Sequence, residues 1–230
     1  MPAQCRSYVQ GARLRVTRLD ECGIPVEGLC STVTSDGFVS VEMTDELTDA
    51  EDITQVNAQG VNCYFERSNP QLNFITVTIT MCNVDPDLFE ITTGSPIVLD
   101  SAGDSVGFAT DTDTYATANF SLEIWTKIAR TQACPPGGAE YGYLLLPWVF
   151  GASQGDLTIE NAGVNFTIAG STHAGTAWGV GPYDVVTGVG GVPSPLLSPL
   201  TDTTHRHMQL TQLAPPAVVC GCQPLVITSP

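Results

Sequence analysis

Apolar and polar residues alternate at period two, in runs too short for anything but strands. This constrains the chain more than any other feature. The densest group lies between Ala118 and Gly170. Phe120, Leu122, Ile124 and Ile128 share one side of an extended segment, and Asn119, Ser121, Glu123 and Lys127 share the other. That spacing predicts a strand with one buried face. Trp125 stands with the polar set. A large aromatic there is expected to be exposed in the lone chain and to anchor a contact between subunits. Tyr143 to Phe150 is apolar on both faces, which predicts a strand covered on both, with Pro147 marking an edge or a bulge. Leu157/Ile159 and Val164/Phe166/Ile168 give two further runs. Prolines and glycines at 134–138 and glycines at 151–155 break the pattern into turns.

The rest of the chain reads the same way. Residues 12–19 alternate Leu14/Val16 against Arg13/Arg15, a strand with an arginine face. Leu29–Thr34 and Phe38–Met43, joined by Ser35-Asp36-Gly37, have the form of a β-hairpin with a tight Asp-Gly turn. Val61–Glu66 is a short strand. In Phe74–Met81, Ile75, Val77, Ile79 and Met81 face inward and Thr76, Thr78 and Thr80 outward. One helix is expected over 85–93, with Asp85 as cap, Pro86 at its first position, an apolar stripe of Leu88, Phe89 and Ile91, and Gly94 closing it. Residues 96–110 form a second hairpin, 176–186 and 204–213 are strands, and 188–199 is a loop. The fold class is all-β with one short helix, a sandwich or barrel. A single domain spans 1–213, and 214–230 is a proline-bearing C-terminal extension, expected to be held by a neighbouring subunit.

Residues 44–60 read as an acidic loop. Asp45, Glu46, Asp49, Glu51 and Asp52 crowd together there. They suit a solvated loop or single helical turn, or a loop that reaches a neighbouring subunit. Their partners in the latter case would be Arg13, Arg15 and Arg18. A calcium site would need EF-like ligand spacing around a central glycine, which the segment lacks.

Few patterns carry chemistry. Gly151-Ala152-Ser153-Gln154-Gly155 matches the nucleophile elbow of α/β-hydrolases, and Asp184 or Asp202 with His205 would complete the order of a triad. The elbow needs a long helix after it, and strand follows instead, so the segment reads as a turn. His205/His207 and Cys220/Cys222 are each two apart, which suits packing better than the usual zinc knuckle. No catalytic, cofactor-binding or metal residues are assigned, and an enzyme is not expected.

Charge narrows the partners. The chain has 8 Lys plus Arg against 24 Asp plus Glu, a formal net charge of −16. Stable nucleic-acid binding needs a basic footprint, which this balance excludes. No run is apolar and long enough for a membrane span, and no leader is legible, so a cytosolic origin is expected. In that setting the eight cysteines are expected to be reduced and buried rather than bridged.

The stretch from Ala118 to Gly170 (ANFSLEIWTKI through NFTIAG), continued by WGVGPYDVV from Trp178, resembles the major tail proteins of long, non-contractile-tailed actinobacterial phages (siphovirus type). The resemblance implies a tail-tube-like fold whose strands join neighbours in a ring. It also implies a structural virion protein that self-assembles into stacked rings, usually of six, around a conduit for DNA ejection. Implied partners are further copies of the chain, tail terminator, tape-measure and tail-tip proteins, and passing double-stranded DNA without stable binding. Assembly would take place in the host cytoplasm. Glu123 and Glu160 are the acids expected to face the bore. The alternative from another class is a surface-binding β-sandwich, a decoration or adhesion module.

Overall fold

The structure, a computed structural model, describes residues 7–112, 114, 118–129, 140–157, 163–174 and 177–227. In chain order its strands are β1 (Tyr8–Arg18), β2 (Gly28–Ser35), β3 (Phe38–Leu47), β4 (Asp52–Val56), β5 (Asn62–Arg67), β6 (Leu72–Met81), β7 (Ile97–Leu99) and β8 (Ser105–Phe108). They continue with β9 (Asn119–Ile128), β10 (Tyr141–Gln154), β11 (Phe166–Thr172), β12 (Val186–Thr187), β13 (Pro193–Ser194), β14 (His207–Thr211) and β15 (Val219–Leu225). One helix, α1 (Pro86–Thr93), lies between β6 and β7.

Nine strands form one antiparallel sheet in the order β15-β2-β1-β9-β10-β11-β6-β3, with β14 also on β10. The long strand β10 is the corner. Its first half pairs with β9 and β14, and its last residues pair with β11. The register shifts between Leu146 and Val149, around the expected Pro147 bulge, and again between Phe150 and Ser153. Bulges bend a strand and raise its twist, so the sheet folds over itself into an open sandwich. Leu14, Val16, Val33, Leu122 and Ile124 of one layer pack with Ile75, Val77, Ile79, Met81 and Ile168 of the other in a single buried cluster.

Helix α1 closes one end of this core. Asp85 accepts the Asp87 N–H at 3.1 Å, Pro86 opens the helix, and Gly94 ends it at φ +74°. Leu88, Phe89 and Ile91 are buried, and Phe89 stacks on Phe108 of β8 with ring centroids 4.4 Å apart. Eight residues cannot hold a helix alone, so this packing sustains it.

A second core lies on the opposite face of the β1–β9–β10 layer. There Trp125, Tyr143 and Leu145 pack under a covering segment that contributes Trp178, Val185, Val186 and Leu196. Both faces of β9 are therefore buried, and the one-faced strand expected from its alternation is corrected. The polar side is an interior, not a solvent face.

Other expectations change with the topology. β2 pairs with β1 and β15, and β3 pairs with β6, so Asp36-Gly37 does not turn a hairpin. Gly37 does not adopt the left-handed backbone such a turn needs, and the link carries the chain from one layer to the other. The acidic loop at 44–60 is instead the end of β3 and the first strand, β4, of a second ladder that β5 completes. Residues 177–185 are turns with only Val186–Thr187 extended, because this segment lies across the sheet rather than in it. The C-terminal extension is the edge strand β15, held by its own chain on β2.

Candidate assembly surfaces

The β3–β6 ladder runs beyond the sandwich. Past the pair Leu47↔Leu72 it is carried on by Thr48, whose N–H donates to Gln71 O at 2.8 Å, and then by β4 and β5. The tip is built around Asn57. Its Oδ1 accepts the N–H groups of Gln59 and Val61 at 2.9 and 3.0 Å, and Gly60 takes φ +79°. Every residue from Glu51 to Asn73 is exposed. From Leu47 to Asn57 the arm reaches roughly 33 Å at about 3.3 Å per residue.

The arm is apolar where a solvated loop would be polar. Ile53, Val56, Val61, Tyr64 and Phe65 are all exposed, Phe65 at 60%. Phe65 sits opposite Thr54, and Ile53 and Tyr64 lie on the other face, so both faces carry apolar side chains. Long exposed hairpins with apolar side chains on both faces are uncommon in isolated chains. Elsewhere, an apolar groove of about 350 Å³ opens between the layers, lined by Tyr8, Phe38, Val41, Met43, Ile124 and Leu144.

The outer face of the β3–β6–β11 layer differs in kind. Ser40, Glu42 and Thr44 stand opposite Thr80, Thr78 and Thr76, which in turn stand opposite Thr167, Ala169 and Ser171. Hydroxyls dominate it, Glu42 adds a negative charge, and these paired positions include no base.

Two of the acids, Asp45 and Asp52, and the three arginines expected to pair between subunits make ion pairs within the chain. Arg206 holds Asp45 with two bonds of 3.1 and 3.3 Å, and Arg67 lies 3.5 Å from Asp52 across the arm. Arg13 lies 3.4 Å from Asp36, and Arg18 lies 3.0 Å from Glu90 of α1. Arg18 therefore belongs to the helix side and not to one arginine face. Glu46, Asp49 and Glu51 are exposed.

Arg15 and Glu123 are directly opposed on β1 and β9, and both are buried. Arg15 Nε and Nη2 donate to the two oxygens of Glu123 at 2.6 and 2.7 Å, and the Tyr143 hydroxyl donates to Glu123 Oε1 at 2.7 Å. The guanidinium also lies 3.3 Å from the centroid of Tyr183 in the covering segment. Burial lowers the Arg15 pKa, but the charge and hydrogen bonds of Glu123 raise it more, and it ends above its ordinary value. Burial, then the Glu123 charge, pushes the Tyr143 phenol well above its usual range. Glu123 is 0% exposed, so it does not face a bore. Trp125 is likewise buried against Tyr143, which corrects its placement as an exposed anchor. Glu160 lies outside the described residues.

The remaining motifs lie in the ladders and their flanks. Ser153 is a ladder residue opposite Ala169, and His205 Nδ1 bonds the Thr172 hydroxyl at 2.8 Å. His207 bonds Gln209 rather than pairing with His205 on a metal. Cys222 is bridged to Cys30, and Cys22, Cys63, Cys82 and Cys220 are exposed thiols. Among the described cysteines the expectation of a reduced state is corrected for Cys30 and Cys222, and that of burial for the four thiols. Cys5 and Cys134 lie outside the described residues.

No protein-family model matches this chain, and no curated protein matches it in sequence.

Proposed function

We propose that this chain is a major tail tube subunit, which associates with its own copies into stacked rings of six around a conduit for phage DNA. The observation that carries the reading is the arm at 51–73. It is built by a continuous ladder and specific turn bonds, yet its apolar side chains find no cover in their own chain. A projection at one place and an apolar groove at another make a heterologous contact, which closes into rings or continues as stacks.

The four-strand layer β10–β11–β6–β3 is the natural wall. Six such layers give about 24 strands. At ~4.8 Å spacing and ~40° tilt the backbone circle is about 48 Å across. β3 ends the sheet order, and continuation into a neighbour satisfies its edge. The hydroxyl-rich face with Glu42 then replaces Glu123 as the lining. Glu42 and the hydroxyls, with no base among the paired β3–β6–β11 positions, offer phosphate no counter-charge there, so DNA slides without binding.

The test is sedimentation of the purified chain, native and as Ile53→Ser/Phe65→Ser. The native chain is expected to form large rings or tubes and the variant to remain near 24.3 kDa. A native chain that stays at 24.3 kDa at high concentration overturns the reading. A surface-binding module is the second reading. It rests on a cavity of about 690 Å³ lined by Pro25, Trp178, Pro182, Tyr183 and Pro195, an aromatic and proline surface suited to a ligand.

A further inference from the structure

β15 is clasped at one place by a bridge and by carboxylates. Cys222 is joined to Cys30 of β2. The adjacent N–H groups of Gly221 and Cys222 donate to Asp85 Oδ2 and Asp87 Oδ2, each at 3.0 Å. Asp87 is buried and also accepts the Ser105 hydroxyl at 2.9 Å. The two sulfurs and an Asp87 oxygen lie within 4.8 Å of one another.

We propose that reduction of the Cys30–Cys222 bridge turns this clasp into a binding site for a thiophilic divalent cation, zinc above all, held by Cys30 Sγ, Cys222 Sγ and the Asp87 carboxylate. The donor set is the argument. Two thiolates and a carboxylate, converging from β2, β15 and α1, suit tetrahedral zinc with its fourth position open. The adjoining cavity holds Asp85 and Asp104 and has no base among its described lining residues, so its field favours a cation. Cys220 lines the same cavity but is not among the three converging ligand atoms. Ser105 and the Cys222 amide hold the carboxylate in the manner of an outer shell, and each oxygen keeps a lone pair for the metal.

The sulfurs must separate to about 3.8 Å around zinc, given Zn–S bonds of about 2.3 Å. β15 has the slack. Between the pairs Val219↔Thr34 and Gln223↔Thr32 it takes four steps to the two of β2, and Gly221 within that bulge has φ +79°. A dithiol reductant gives two electrons and two protons to the bridge and becomes a disulfide. Metal binding then releases the two thiol protons to water. Bridge and metal exclude one another, and each ties β15 to β2.

The test uses the full chain with Cys5, Cys22, Cys63, Cys82, Cys134 and Cys220 replaced by serine. The protein is reduced with a phosphine, desalted without air and titrated with Co²⁺. One Co²⁺ per chain is expected, with thiolate-to-cobalt charge-transfer absorption that Zn²⁺ abolishes and that the oxidised protein never shows. Asp87→Asn is expected to weaken binding roughly tenfold or more, and Cys30→Ser to remove the two-thiolate spectrum. Zn²⁺ should also raise the Tm of the reduced chain and leave the oxidised chain unchanged, a readout that needs no variant. Absence of thiolate absorption in reduced, folded protein overturns the proposal. So does a spectrum indifferent to Cys30→Ser or an affinity indifferent to Asp87→Asn.

Discussion

Arg15 and Glu123 are interior charges that hold each other in place. Glu123→Gln would leave a buried guanidinium without its counter-charge. The expected cost is about 3–5 kcal/mol in chemical denaturation, and Arg15→Met/Glu123→Leu should recover much of it. A cost under 1 kcal/mol would mean that the pair is solvated. His205 carries a second prediction at this scale. Burial, then the charge of His173, lowers its pKa below the ordinary 6.5. Above that value both folded and unfolded histidine are neutral. As pH falls below it, the unfolded chain takes up a proton that the folded chain resists, so stability falls. His205→Asn, which keeps a polar atom near Thr172, should lose that part of the pH dependence between about 7 and 5 in denaturation midpoints. Neither site was legible in the sequence as a site. Period two sorts residues by face but cannot say whether the second face meets water or a second core. Glu123 and Trp125 were therefore assigned to a surface that the 178–200 segment covers.

At the scale of elements, local signals were legible and long-range pairing was not. The helix has its cap, first-turn proline, buried stripe and closing glycine where the residues put them, because all of these act within one turn. The Asp36-Gly37 signal failed because a turn dipeptide gains only a little local energy. Phe38, Val41 and Met43 gain more by packing across the sandwich. The first strand of the arm hid behind its acids, since Ile53 and Val56 are three apart and give no period-two pattern beside the crowded charges. Its function yields a third prediction. Ile53→Ser/Phe65→Ser should shift the midpoint for unfolding of the isolated chain by no more than about 0.5 kcal/mol, because these side chains are exposed there. The same change should abolish sedimentation as large particles. A variant that unfolds instead would place the arm in the fold rather than at an interface.

The described residues form a bent sheet with a covered back, an open groove and a projecting arm. The all-β class was legible because strands announce themselves locally. The two-layer path was not, because β10 changes partners midway through two bulges. The bridge between residues 30 and 222 was equally hidden, since spacing along a chain says nothing of contacts across 192 positions. Net charge of −16 keeps separate chains apart at low salt and is screened over about 8 Å at physiological ionic strength. Assembly through the arm should therefore strengthen with salt and protein concentration together. Electron microscopy of the purified chain, concentrated at physiological salt, decides whether it builds a tube. Rings or tubes with an open bore are expected; a uniform field of single compact particles would rule out a tube subunit.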